Sequence, residues 1–469
     1  MKSNSVEVSK RYLYHKIIAY LEGVICSDPQ KGKKLPSVRE ICKVFKVSPP
    51  TVVKAYSELE AKGLVLAIPK SGYFIDNASR CEALAPDEKL ITRIYKNARM
   101  PGVIPLSIDA AAKSSDLWTL MQRKLRRGGA LEEYDVKNYS LEGDSRLRAA
   151  IAYLYTKNGI AWNYDDVIIA NGYQIALIAA IKASTRSTHI LVEAPCSWAT
   201  LEILETLGVT PIELYLQGSP STLKSEIVRS IDRYGITSAI FSATINPITG
   251  HSPPQDIVNM LLQVLAERRI SIVETNVYGN IVFSEAQPLR VSYPPEFMLC
   301  VGTFSKTISP SCCMGYVLTK RMSLEVLSSL QHTPNTISSE IQNALAELIM
   351  DGLYEKGVTR QIQVLKKLME NMTELLEKYL PSGKVRFDRP DGGAVIWLES
   401  TNGVDSIALY NRLIDFGVSI APGYIFSSTY KFSKCFRISY ATDWSGNIPK
   451  AIATIGKQIL KLERTGNGL

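Results

Sequence analysis

The chain has 469 residues, 46% hydrophobic and 21% charged, with a formal net charge of +9. At about 100–200 residues per domain this is two to four domains, with a core that needs no disulfide or metal staple. The apolar fraction excludes a wholly disordered chain, no apolar run reaches the ~18 residues of a transmembrane helix, and the N-terminal MKSNSVEVSKRYLYHK lacks the apolar stretch of a secretory signal. A soluble, cytoplasmic protein with no membrane partner is expected. The eight cysteines form no Cys-x-x-Cys, so no metal site is expected and reduced thiols are the plain reading. Cys312 and Cys313 read as small buried residues.

The charge is concentrated at the front. Residues 1–75 hold 13 Lys/Arg and 6 Asp/Glu, whereas the other 394 residues carry a net charge of only +2. A basic front on a near-neutral body points to an anionic partner, and on charge alone equally to a solvated basic surface.

In chain order, Tyr14, Ile17, Ile18, Leu21 and Ile25 share one helical face. Ser37-Val38-Arg39-Glu40 has capping-box spacing, opening a short helix with the stripe Val38, Ile41, Cys42, Phe45. Ser48 can cap a third helix, Pro49 and Pro50 fit its first turn, and Val52, Ala55, Tyr56 and Leu59 form its buried stripe. Strands Val65–Ile68 and Tyr73–Ile75 around a PKSG turn make a two-stranded wing. This is a winged helix-turn-helix, whose second helix enters a major groove by its N-terminus. Arg39, Lys43, Ser48, Thr51, Lys54 and Lys70 are the candidate DNA contacts, with phosphate contacts adding affinity but no sequence readout. A small helical protein-interaction module is the other reading of the pattern.

Residues 78–104 read as a partly helical linker. From residue 105 strands alternate with helices, which argues an α/β domain with a mostly parallel sheet. The strand candidates are Val167–Ala170, Ile190–Glu193, Thr210–Tyr215, Ala239–Ser242, Ser271–Glu274, Met298–Gly302 and Cys312–Leu318. A C-terminal block from about 331 to 469 reads as a smaller α+β lobe with strands Gly393–Leu398 and Phe436–Tyr440.

The chemistry-bearing stretch is Gly302-Thr-Phe-Ser-Lys306-Thr-Ile-Ser-Pro310. A lysine just past a buried strand can be desolvated enough to form an imine with an aldehyde. The hydroxyls of Thr303, Ser305 and Thr307 can receive a phosphate. Taken alone, a surface lysine in a serine-rich loop is the commoner reading of the same residues. Other groups fall at strand ends, where open α/β sheets hold ligands: Asn171-Gly172-Tyr173-Gln174, Glu193-Ala-Pro195-Cys-Ser-Trp198, Asn246-Pro-Ile-Thr-Gly250 and Glu274-Thr275-Asn276-Val-Tyr278. Tyr139-Ser-Leu-Glu-Gly143 precedes a helix.

The run LPSVREICKVFKVSPPTVVKAYSELEAKGLV with GYF resembles the GntR-type DNA-binding domain, with Pro49 where that family often has a DNA-contacting arginine. From Leu106-Ser-Ile-Asp to Arg437-Ile-Ser-Tyr the body resembles fold-type I, aspartate aminotransferase-like enzymes of pyridoxal 5'-phosphate. The two in this order resemble the MocR-type transcription regulators. The resemblance implies a winged helix-turn-helix head (1–77), a linker (78–104) and a large α/β aminotransferase-like body (105–469) with a small C-terminal α+β lobe. It implies a homodimer on double-stranded DNA and a small-molecule effector, an amine, amino acid or B6 vitamer. It also implies Lys306 as Schiff-base lysine, Thr303 and Ser305 near the phosphate, and Tyr173 and Gln174 at the phosphate turn. Tyr139 would reach the phosphate across the dimer, Trp198 would stack on the ring, and Asn246 and Tyr278 would bond its phenolic oxygen. Arg437 would pair with a carboxylate, which bidentate geometry suits.

The sequence also departs from the family. Thr275 stands where an aspartate pairs with the ring nitrogen, which makes the cofactor a poorer electron sink. Cys313 and Met314 stand where an arginine clamps the phosphate, a loss of about 1.5–3 kcal/mol. The aromatic is shifted from Ser197 to Trp198, and Asn-Pro-Ile-Thr-Gly is one residue longer than the family pattern. These favour a regulator that senses the cofactor or its amines; a cofactor-free dimerisation scaffold and an active aminotransferase are the alternatives.

Overall fold

The computed structural model describes residues 17–18, 20–21, 24, 33–61, 65–68, 71–75, 90–127, 140–156, 160–278, 281–284, 286–331 and 338–466. They divide into two units, Met1–Arg93 and Ile94–Leu469. In the first, Ser37 caps helix α1 (Val38–Phe45). Its hydroxyl accepts from the Glu40 N–H at 3.3 Å, and the Glu40 carboxylate accepts from the Ser37 N–H at 2.6 Å, the reciprocal box that the spacing predicts. The helix stops at Lys46, in the left-handed region at φ 53°, and Val47 and Ser48 lead into α2 (Pro49–Ala61). The prolines sit in its first turn, and Ser48 bonds the Thr51 hydroxyl at 3.0 Å.

The predicted stripe Val52, Ala55, Tyr56 and Leu59 is buried with Ile17, Ile18, Leu21 and Ile41. Val38, Cys42 and Phe45 pack partly buried against them. Tyr14 and Ile25 lie outside the described residues. Tyr56 stacks on Tyr73 of the wing at 3.9 Å, and its hydroxyl donates to the Pro36 carbonyl. The wing strands β1 (Val65–Ile68) and β2 (Gly72–Ile75) pair antiparallel. A third segment joins them: the Leu35 N–H donates to Tyr73 O and the Ile75 N–H to Lys33 O, both at 2.9 Å. The second edge of β2 needs partners for its backbone groups, and the lysine-rich loop supplies them.

The boundary falls within helix α3 (Leu90–Ala98), which buries Ile94 and Ala98. A seven-stranded sheet forms the centre of the second unit, from β3 (Val167–Ala170), β4 (His189–Ala194), β5 (Thr210–Tyr215), β6 (Ser238–Ser242), β7 (Ser271–Asn276), β8 (Met298–Thr303) and β9 (Gly315–Thr319), in the order β3-β9-β8-β7-β6-β4-β5. β9 runs antiparallel to both its neighbours and the other pairs are parallel. Except at the edge strand β5, whose ends are exposed, these strands are largely buried on both faces, which is why they read as mostly apolar runs. One boundary needs correction: the last strand begins at Gly315, not Cys312. Pro310–Cys312 is a single 3-10 turn, and Cys313 follows it at φ 43°, so the apolar run turns before it extends. Cys313 is exposed rather than buried, whereas burial pushes the thiol of Cys312 up to about 12.

The C-terminal block packs the long helices Leu353–Tyr379 and Ile448–Gly466 together. Its antiparallel sheet runs β10 (Val385–Phe387), β11 (Val395–Ser400), β13 (Cys435–Ser439), β12 (Ala421–Pro422). Ile104–Pro105 pairs in parallel with Val418–Ser419. That pairing fixes the segment leading into the body against this lobe.

Candidate functional site

On the head, Arg39 and Lys43 are one helical turn apart on α1 and both are exposed. Ser48 and Lys54 are exposed and Thr51 is half-buried at the start of α2. Lys70 lies outside the described residues. Arg39, Lys43 and Lys54 thus give the two helices exposed basic side chains.

In the body a cavity of about 210 Å³ opens where β4, β6, β7 and β8 end. Its lining includes Tyr173, Gln174, Trp198, Asn246, Thr275, Thr303, Ser305, Lys306 and Arg437. Residues spread over more than 260 positions are thereby brought together, nearly all of those that the sequence singles out. Tyr139 lies outside the described residues. Tyr278 is buried behind the lining. Thr307 is also buried away from it, accepting from the Tyr354 hydroxyl at 3.3 Å, so it offers nothing to a phosphate.

The strand pleat explains the chemistry at β7. Thr275 and Val277 face the cavity, while Glu274 and Asn276 point to the other side. There Glu274 pairs with Arg290 and Asn276 donates to the Tyr155 hydroxyl at 2.9 Å. Alternation of period two dictates this split. The Thr275 hydroxyl donates to Phe241 O at 3.3 Å, so that corner is neutral. Asn246 spends its amide internally, donating to Glu193 Oε1 and Pro195 O, both at 3.0 Å. Thr303 donates to Met314 O at 2.9 Å and accepts from the Ser305 N–H at 3.1 Å. Trp198 reaches the lining and meets Tyr95 edge-on at 5.8 Å.

Sequence reasoning gave Asp109, Glu193 and Tyr95 no role of their own. Asp109 Oδ2 stands 2.9 Å from Lys306 Nζ and accepts from the Tyr278 hydroxyl. Burial works to raise its carboxyl, but Lys306, the Tyr278 hydroxyl and Arg437 outweigh it and hold it below the usual carboxylate range. Burial and then the Asp109 charge push the Tyr278 phenol well above its ordinary value. Only folding across nearly 200 positions joins Asp109 to Lys306, and no local spacing signals that.

The site fits a pyridoxal-type aldehyde in its donor set: an amine, an indole, hydroxyls, and the free N–H groups opening α4 (Tyr173–Ser184). Gly172 takes φ 99° at that turn, and β9 passes against it. A Cβ on Gly315 would stand 2.5 Å from Gly172 O and 2.8 Å from Tyr173 N. Backbone cannot swing aside as a side-chain tip can. Gly315→Ala is therefore expected to destabilise the body by about 1–3 kcal/mol, read as a lower urea midpoint. An unchanged midpoint would show that the turn has room.

Among the described residues no helix is long and apolar enough to cross a membrane, and no cluster of His, Cys, Asp or Glu is placed to hold a metal.

Comparison with known proteins gives the class. Residues 13–75 match the family model "Bacterial regulatory proteins, gntR family". The chain is 26% identical over 455 residues to an uncharacterised HTH-type transcriptional regulator, YjiR, of Escherichia coli, covering 92% of this chain and 95% of that protein. It is 26% identical over 328 residues to a 2-aminoadipate transaminase of Thermus thermophilus, 68% of this chain and 80% of that one. In structure it is similar to a multiple substrate aminotransferase of Thermococcus profundus, with TM-score 0.71 and 20% identity over 82% of this chain and 98% of that one. The chain is thus a helix-turn-helix transcription regulator with an aminotransferase-fold body. A GntR-type head on a fold-type I body is the MocR-type architecture.

Proposed function

We propose that the head binds operator DNA through Arg39, Lys43, Ser48, Thr51, Lys54 and Lys70, and that the body senses pyridoxal 5'-phosphate, or an amine or amino acid reacting with it, at Lys306. The observation that carries this reading is Lys306 on the wall of a cavity at the strand ends that Trp198, Arg437, Tyr173 and Gln174 also line. Bound there, the cofactor supplies an aldehyde that condenses with a lysine amine, with loss of water, and can pass to another amine. Tyr173, Gln174, Thr303 and Ser305 would hold its phosphate, with Tyr139 of a second copy completing the site.

Two features favour sensing over turnover. Thr275 offers a hydroxyl, not a carboxylate, to a ring nitrogen. No arginine stands among the described lining residues at the α4 end. A homodimer would present two heads to two half-sites, and a ligand shifts their arrangement only by binding one state better than the other.

The test is reduction of the protein with borohydride after addition of pyridoxal phosphate, followed by peptide mass mapping. One addition at Lys306 is expected, and Lys306→Ala should lose it while keeping its DNA affinity at fixed salt within about twofold, because the substituted group lies outside the head. Addition elsewhere, or none, overturns the proposal.

A further inference from the structure

The cavity carries a carboxylate of its own beside the reactive lysine. Asp109 sits on a braced segment rather than a free loop. The Ile104 N–H donates to Gly417 O at 2.8 Å, the Ser439 N–H to Leu106 O at 2.7 Å, and the Ser107 and Ser419 hydroxyls meet at 2.7 Å. The Asp109 side chain is 9% exposed. Lys306 Nζ touches its Oδ2 at 2.9 Å and donates to its backbone carbonyl at 3.3 Å. Arg437, the other cation on the described lining, donates to Ser107 O at 3.3 Å and lies over the Phe426 ring at 4.8 Å. Glu193, the second carboxylate, is taken up by the Ser242 N–H at 2.8 Å and by Asn246.

We propose that Asp109 is a specificity residue: it closes the cavity to aldehydes with a carboxylate on the reacting carbon and leaves it open to simple aldehydes. The carbon bonded to Lys306 Nζ carries its substituents next to Asp109 Oδ2. A carboxylate there brings two like charges to contact beside the largely buried Asp109, whereas a hydrogen or alkyl group does not. The carboxyl of Asp109 stays ionised against its burial because Lys306, Tyr278 and Arg437 surround it. A ligand that bonds to Lys306 Nζ through its carbonyl carbon is therefore one that carries no carboxylate on that carbon. This rests on Lys306 being the reactive amine, as proposed above, and not on which cofactor it holds.

The test treats the full chain with acetaldehyde or with glyoxylate, each with cyanoborohydride. The lysine nitrogen adds to the aldehyde carbon, water leaves, and hydride with a proton from water reduces the C=N bond to a secondary amine. Labelling at Lys306 is read by peptide mapping and normalised to exposed Lys224 and Lys367 in the same digest, which cancels the intrinsic reactivity of each aldehyde. Normalised labelling by glyoxylate is expected to be at least about tenfold below that by acetaldehyde, and Asp109→Asn should bring the two within about twofold. Equal labelling in the unaltered protein overturns the proposal without any variant. So does a ratio that Asp109→Asn leaves unchanged. Labelling by neither aldehyde overturns the reactive lysine itself, a result distinct from equal labelling.

Discussion

Arg290→Met is expected to destabilise the body by about 3–5 kcal/mol, because it strands a buried carboxylate. Glu274 is 0% exposed and Arg290 5%. The guanidinium pairs with Glu274 Oε1, the Arg290 N–H donates to Oε2 at 2.8 Å, and the cation lies 4.5 Å from the Tyr155 ring. Burial alone would lower the guanidinium's pKa; Glu274, Tyr155 and Cys300 more than reverse that and keep it charged. The substitution leaves Glu274 the backbone N–H at position 290, too little for a full charge away from water. Replacing both partners, as in Glu274→Leu with Arg290→Met, should recover most of the loss, since an apolar pair of similar volume carries no desolvation penalty. Urea midpoints of the body transition check both. A single variant within about 1 kcal/mol of the parent would mean that water reaches Glu274. The same pair fixes the cavity indirectly: by anchoring Glu274 on one side of β7, it directs Thr275 to the other.

The parts of this protein that were legible in its sequence are those specified locally. Val167–Ala170 reads as a strand because both faces are covered and the apolar run is unbroken. The Ser37–Glu40 box read correctly because both halves of it lie within one turn. Lys306, Thr303 and Tyr173 gather at one cavity because strand ends in an open sheet converge. What was not legible depends on distant partners. Asp109 meets Lys306 only when the segment after Ile104 pairs with Val418–Ser419. Tyr95, from a stretch read as linker, becomes a wall of the cavity through Trp198. Cys312 was read into a strand because apolarity says nothing about the left-handed turn at Cys313.

DNA binding by the head should fall steeply with salt. Lys33, Lys34, Arg39, Lys43, Lys46 and Lys54 are all exposed, and Glu40, the acid among them on α1, has its carboxylate turned back onto the Ser37 N–H. That hydrogen bond, with the Ser37 hydroxyl and the neighbouring lysines, lowers the Glu40 pKa, so it serves the helix N-terminus instead of opposing a phosphate. If about four of these cations reach phosphates, the slope of log K against log salt is about −3.6 per head, and raising salt from about 50 to 200 mM weakens one head about 150-fold. Two heads bound together would lose on the order of 10⁴-fold by the same arithmetic. Lys54→Ala should reduce the slope by about 1 and weaken all sequences alike, the mark of a phosphate contact, whereas a base contact would relax preference at one position. Fluorescence anisotropy of a labelled duplex over a salt series reads both quantities. A slope shallower than about −1 would mean that the basic face does not meet the backbone, and the net charge of residues 1–75 would then be solvated surface rather than a binding face.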